Sequence, residues 1–264
     1  MNDDMKRIVS LILTLTLAGC GYAQKANIAA SANLRYALDE IKTQYVKENP
    51  AAAIRITYGA SGTLTQQIIN GAPFDLFLSA DTVFPEKIKE KGLAAVDVET
   101  YCYGKIAIWS SSVNLSQGLH AILSPKVKKI AVANPATAPY GENTIAMLKN
   151  QNLYEKISKK IVWGENSNQT AQFAFSGNAE IGFIPLSLAL TPEMKNRGNY
   201  YVLPEEICPS VKQAAVLIKG WEKNGEAGKF LKYLTSAVCK PVWEKYGYGI
   251  VCVPESIQKK TAVF

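Results

Sequence analysis

The sequence predicts an α/β protein of two lobes facing one cleft, built on mostly parallel sheets. Short apolar runs of strand length alternate with stretches of helical period. Each strand-to-helix joint is a loop of small polar residues, and these joints form one early and one late cluster, which suggests one cluster per lobe. In such folds ligands sit beyond the carboxyl ends of the strands, so the joints are where a site is expected.

Residues 1–25 are set apart as an export signal. Lys6 and Arg7 form a positive start, Ile8 to Leu17 is apolar apart from Ser10, Thr14 and Thr16, and Leu17-Ala18-Gly19 places small residues before Cys20. The apolar stretch is about ten residues, too short for a membrane span of roughly 20. It resembles a bacterial lipoprotein signal in which Cys20 becomes the lipidated N-terminus; a plain signal peptide cut near Ala23 is the other reading.

The elements then follow in order. Asn27-Ile28-Ala29-Ala30 reads as a strand, Ser31-Ala32-Asn33 as a polar turn, and Leu34, Leu38, Ile41 and Tyr45 as a helical stripe ending at Asn49-Pro50. The second joint is Gly59-Ala60-Ser61-Gly62-Thr63, followed by a helix with Leu64, Ile68 and Ile69 on its apolar face, stopped by Gly71 and Pro73. Asp75 to Ala80 is a short buried strand, and Asp81 caps the next helix. Tyr103 to Trp109 and Gln213 to Ile218 read as strands that carry the chain from one lobe to the other and back. Between them, Lys129 to Ala133 leads through Asn134-Pro135 and Ala138-Pro139-Tyr140-Gly141 into a helix carrying Ile145 and Leu148. Lys160 to Trp163 leads through Gly164 to Asn168 into a helix over Thr170 to Ser176, closed by Gly177, with the next strand at Ala179 to Ile184. The lobes are therefore drawn as 26–103 with 214–264, and 104–213.

Composition narrows the function. With 29 Lys and Arg against 22 Asp and Glu the formal charge is +7, but the lysines are scattered and not interleaved with aromatics, so they read as solvated faces and not as a nucleic-acid surface. Past Cys20 the cysteines are Cys102, Cys208, Cys239 and Cys252; either they pair, in one of three ways, or they are buried free thiols. None has metal-site spacing, and one histidine, His120, is too few for a zinc site. Neither GxxxxGK[ST] nor GxGxxG occurs. Gly59-Ala60-Ser61-Gly62-Thr63 nearly matches the hydrolase elbow G-x-S-x-G, but Thr63 stands where the last glycine belongs, and His120 has no acid placed to orient it. Ser61 is thus a hydrogen-bond donor in preference to a nucleophile.

Backbone N–H groups and hydroxyls gathered at helix starts attract anions. The first two joints contain no carboxylate, which suits a fully deprotonated dianion that only accepts hydrogen bonds. A phosphate site, in contrast, gains from an acceptor for the remaining proton and from an arginine. Glu142 and Glu165 flank the later joints as caps or first-turn dipole partners, and Arg35 reads as a solvated helix residue.

These residues carry a resemblance. AASANL at 29–34, YGASGTL at 58–64, NGAPFDLFLSAD at 70–81, NPATAPYG at 134–141 and GENSNQTAQFAFSGNAEIGFIPLS at 164–187 together resemble the bacterial molybdate-binding proteins of ABC importers. The resemblance implies a type II periplasmic-binding-protein fold whose lobes close by hinge motion over a tetrahedral oxyanion, molybdate and tungstate with it, held without metal or cofactor. It implies a membrane permease and its ATPase as partners, a periplasmic location with an anchor through Cys20, and a monomer.

By motif position the resemblance assigns Asn33 to a polar first-loop ligand, Ser61 to the serine of the second loop, and Tyr140 and Ser167 to backbone contacts in the third and fourth, with Ala32 and Gly62 as additional candidates. Where the best-known members carry a tyrosine hydroxyl, this chain has Pro185, which donates nothing. The fifth contact then falls either to the Tyr140 hydroxyl or to another donor, of which the Asn33 amide is preferred. The alternatives are a receptor of the same fold for sulfate, phosphate or an organic anion, and an exported hydrolase using Ser61.

Overall fold

The computed structural model describes residues 24–220 and 225–251. Residues 1–23, which hold most of the segment set apart as an export signal and Cys20, and also Cys252, lie outside the described residues, whereas residues 24 and 25 of that segment begin the first strand. The first lobe is built from β1 (Gln24–Ser31), α1 (Arg35–Glu48), β2 (Ala52–Gly59), α2 (Ser61–Ile69), β3 (Leu76–Leu78), α3 (Val83–Glu90) and β4 (Glu99–Gly104). The chain crosses into the second with β5 (Ile106–Ser110), β6 (Ile130–Ala133), α4 (Pro139–Asn150), α5 (Tyr154–Ile157), β7 (Ile161–Gly164), α6 (Ser167–Phe175), β8 (Ile181–Pro185), α7 (Leu186–Ala189), α8 (Pro192–Arg197) and β9 (Asn199–Val202). It returns through β10 (Val211–Leu217) to α9 (Glu226–Leu234), α10 (Lys240–Lys245) and β11 (Gly249–Ile250).

Each lobe has its own sheet. The first runs β11-β4-β10-β3-β1-β2 and the second β7-β6-β8-β5-β9. β1 pairs in parallel with β2 and β3, so Ser31, Gly59 and Leu78 end at one edge. In the second lobe β6 pairs in parallel with β7 and β8, bringing Ala133, Gly164 and Pro185 to the corresponding edge. The strands added by the crossovers, β5 and β10, run antiparallel to their neighbours.

Both faces of the central strands are covered, and the two-residue period of the strand divides the side chains between them. Ile28 and Ala30 of β1, Leu76 and Leu78 of β3, and Ala215 and Leu217 of β10 join the core under α1, α9 and α10, with Phe230 and Trp243. Ala29, Phe77 and Val216 turn to the opposite face, against Leu64 and Ile68 of α2 and Ile88 of α3. In the second lobe Ile106 and Ile108 face α4 and α5, whereas Ala107 and Trp109 face α6 to α8. The helical stripe Leu34, Leu38, Ile41 and Tyr45 is buried along its whole length.

Local chemistry sets the boundaries. α1 stops where Asn49 N–H returns to Tyr45 O, 2.8 Å away, just before Pro50. Two residues after α2, Gly71 takes φ 86°, a left-handed conformation that glycine adopts without steric cost. Two expectations shift. Tyr103 to Trp109 is two strands, β4 and β5, because the chain changes sheets at Lys105, whose carbonyl takes the Leu186 N–H at 2.8 Å. The fourth-joint helix starts at Ser167, ahead of Thr170, because the Asn166 side chain accepts from Asn168 and Gln169 N–H at 3.0 and 3.1 Å.

Among the described residues, Cys102, Cys208 and Cys239 are buried and form no disulfide with one another. Burial pushes Cys208 and Cys239 up to about 11, which keeps them protonated and unreactive.

Gly141 fixes how closely α4 lies on β6, since a Cβ there would stand 2.0 Å from Ala133 O. Gly141→Ala is expected to destabilise the protein by about 1–3 kcal/mol, read as a lower urea midpoint with unchanged slope.

Candidate functional site

The parallel strand ends and the helix starts that follow them meet between the lobes. After β1, Ala32–Leu34 forms a single 3-10 turn leading directly into α1, with Asn33 buried inside it. After β2, Ala60 is the cap position and Ser61, fully buried, is the first residue of α2. After β6, Ala138 caps α4, with Pro139 and Tyr140 in its first turn. After β7, Asn166 caps α6 and Ser167 begins it.

Contacts across the gap bring the loops together. Gly62 N–H donates to Thr137 O at 2.8 Å, joining the second loop to the third. α6 lies against the Ala32–Leu34 turn, joining the fourth to the first. Ser187 at the start of α7 donates its hydroxyl to Asn33 O at 2.9 Å. Beside this junction a cleft of about 370 Å³ opens between Arg35 and Tyr36 of α1 and Asn168, Gln172 and Phe175 of α6.

The donors have definite states. Ser61 Oγ accepts from Ala80 N–H at 3.1 Å, so its own proton is left to donate. Tyr140 is buried, and desolvation holds its phenol well above the ordinary range, so it stays protonated. The first N–H groups of α2, α4 and α6 have no partner inside their helices. The Asn166 cap takes the N–H groups of Asn168 and Gln169, and that of Ser167 is not among its donors.

Three expectations are refined. Both hydrogens of the Asn33 amide are donated within the protein, to Gln213 Oε1 at 2.9 Å and Tyr248 Oη at 3.0 Å, so that amide does not fill the place left by Pro185. Gly62 gives its N–H to Thr137 and not to the cleft. The Tyr140 hydroxyl accepts from Gln213 Nε2 at 3.1 Å. Pro185 itself is buried at the end of β8, opposite Ile106.

The flanking charges stay at the edges. Glu142 and Glu165 are exposed, Glu142 in the first turn of α4 where a carboxylate favours the helix dipole. The Arg35 guanidinium lies 4.4 Å from the Tyr58 ring centroid, stacked on its face. His120 is exposed in the 3-10 segment Gly118–Leu123 of the second lobe, whereas Ser61 is buried in the first, so nothing in the geometry makes them a nucleophile and its base. Among the described residues, no group of three or more His, Cys, Asp or Glu could hold a metal ion, and no helix is long and apolar enough to cross a membrane.

Sequence reasoning missed Gln213, Tyr248, Ser187 and Tyr101 as members of this junction. Gln213 carried a usable signal, being a lone amide at the head of the apolar run QAAVLI, since a buried amide needs partners.

Two α/β lobes joined by crossovers, with buried helix starts and hydroxyls converging between them, define a two-lobed solute-binding protein. The family model for bacterial extracellular solute-binding protein matches residues 26–249. The molybdate-binding protein ModA of Azotobacter vinelandii is 32% identical over 95% of this chain and 100% of its own length. ModA of Rhodobacter capsulatus is 32% identical over 90% and 94%. The structure of the Azotobacter vinelandii periplasmic molybdate-binding protein superposes with a TM-score of 0.80 at 28% identity, over 86% of this chain and 99% of that one. The chain belongs to the bacterial extracellular solute-binding protein family, among its ModA-type members.

Asp81, next to Ala80, receives hydrogen bonds from Ser79 Oγ at 2.8 Å and Phe84 N–H at 3.2 Å. Burial, aided by Glu142 across the gap, nevertheless raises its pKa above 3.8. The folded state therefore holds this proton to higher pH than the unfolded chain does, and stability falls as pH rises through that window. Asp81→Asn, which still accepts both hydrogen bonds, is expected to melt higher than the parent at pH 7, with the difference closing in acid below pH 3.8.

Proposed function

We propose that this protein is an extracytoplasmic receptor that captures molybdate, and tungstate with it, and delivers the anion to an ABC import permease and its ATPase. The observation that carries the reading is the convergence of four helix starts, with the Ser61 hydroxyl, at the carboxyl ends of parallel strands. Asn33 and Ala32 on the first loop, Ser61 on the second, Tyr140 on the third and Ser167 on the fourth are the proposed shell. Tyr140, Ser167 and the Asn33 turn act through their N–H groups, and Ser61 through its hydroxyl. The molybdate-binding names of the relatives support the choice of ligand.

Such a shell offers donors only, which suits a dianion without a proton. Hydrogen phosphate would require an acceptor among them. Sulfate makes the same hydrogen-bond demand as molybdate but is smaller, so a donor shell set for the longer metal–oxygen bonds leaves sulfate's oxygens short of their partners. Tungstate, nearly the size of molybdate, fits the same shell. Closure of the lobes over the anion would produce the form that the permease recognises. The protein acts as a monomer, held at the membrane through lipidated Cys20.

An anion that binds only the folded state stabilises it, by about 2.7 kcal/mol at a hundredfold excess over Kd. Molybdate and tungstate are expected to raise Tm by several degrees, and sulfate and phosphate far less. The absence of a shift with molybdate, or a larger one with sulfate or phosphate, would overturn the ligand assignment.

Ser61→Ala removes one hydrogen bond to a charged group, an interaction of about 1.5–3 kcal/mol. Calorimetry should show molybdate affinity falling by roughly ten- to a hundredfold. An unchanged affinity would remove Ser61 from the shell.

A further inference from the structure

Gln213 is fully buried on β10, the strand by which the chain returns to the first lobe. It lies where the pairing of β10 with β4 changes register, between Gln213 and Ala214. Its Oε1 accepts from Asn33 Nδ2 at 2.9 Å and from Tyr101 Oη at 3.4 Å, and its Nε2 donates to Tyr140 Oη at 3.1 Å. Asn33 belongs to the first loop and Tyr140 to the third, so one side chain is bonded to proposed anion-binding residues of both lobes. The Tyr140 hydroxyl reaches Gln213 by passing over Gly104, the last residue of β4; a Cβ on Gly104 would stand 2.0 Å from Tyr140 Oη and 2.6 Å from Gln213 Nε2. Asn33 is fixed from the other side as well, its carbonyl accepting from Tyr248 Oη at 2.8 Å and from Ser187 Oγ at 2.9 Å.

We infer that Gln213 is a positioning residue: the string Asn33–Gln213–Tyr140 ties the first anion-binding loop to the third across the crossover strands, and so couples closure of the lobes to anion capture. It touches no anion itself. A buried amide both accepts and donates, which lets one residue serve an amide N–H on one side and a phenol oxygen on the other. Leucine, of similar size, can do neither. Glutamate keeps the acceptor but loses the N–H that reaches Tyr140. The coupling to affinity rests on the oxyanion-receptor reading above, whereas the effect on the lobes does not.

The test measures molybdate affinity by calorimetry and the distance between spin labels, one on each lobe, with and without molybdate, in the wild type, Gln213→Leu, Tyr140→Phe and the double variant. Each single substitution is expected to weaken molybdate binding by roughly 5- to 150-fold and to shift the label distances towards a more open form, with and without anion. The double variant should be no weaker than the worse single, because both break the same link. Tyr140→Phe deletes one oxygen and keeps the ring, so it carries the test if Gln213→Leu fails to fold. Wild-type affinity and wild-type label distances in these variants would overturn the proposal. So would additive losses, or losses that track global unfolding stability alone. If the wild type itself binds no molybdate while the substitutions still open the lobes, the ligand assignment fails and the positioning role stands.

Discussion

An α-helix leaves its first N–H groups without partners inside the helix, and this protein sets four helix starts at the junction of its two lobes. Much else in the structure serves that constraint. The parallel pairing of β1 with β2 and β3, and of β6 with β7 and β8, brings the strand ends to common edges. Helices packed on both faces of each sheet then fix where the next helix begins. Gly141 lets α4 approach β6 closely enough for its first turn to reach the junction, and Asn166 fixes the start of α6 at Ser167.

Electrostatics at the junction follow from the same arrangement. A dianion is served by donors held rigidly in a site poor in water, and here the hydroxyls are buried and protonated while Glu142 and Glu165 remain exposed. Burial raises the pKa of Asp81, and its two hydrogen bonds do not offset the desolvation. On the proposed reading, selectivity among tetrahedral dianions rests on dimensions, because charge and hydrogen-bond demand are shared.

Behind the loops lies a polar junction that an apolar core would have made simpler. Asn33, Tyr101, Tyr140, Ser187, Gln213 and Tyr248 are buried together where the crossover strands pass. Buried polar groups are costly unless bonded, and of these side chains only Asn33 Oδ1 lacks a partner among the described residues. Such a network favours one arrangement of the two lobes over others, because each bond has a defined donor and acceptor.

Local pattern determined a great deal. The stripe from Leu34 to Tyr45, the stop at Gly71, and the strands ending at Ala133 and near Trp163 stand where period and turn chemistry place them, since helix and strand periods and glycine's left-handed conformation depend on neighbours a few residues away. The same local signals missed α5, α7, α8 and α10, which are too short to show a period, and also α9, although its buried Ala227, Phe230, Leu231 and Leu234 keep helical spacing. They also merged β4 with β5, because only packing against two different sheets separates them at Lys105. Four residues of the junction, Gln213, Tyr248, Ser187 and Tyr101, escaped sequence reasoning because their partners lie far along the chain, as between Asn33 and Gln213, 180 residues apart. Whether a polar side chain such as the Asn33 amide faces the cleft or the protein depends on which groups surround it. By itself the sequence determined the order of elements and the chemical type of the four loops. Only the tertiary structure decided which donors in those loops the protein uses for itself and which it leaves for a ligand.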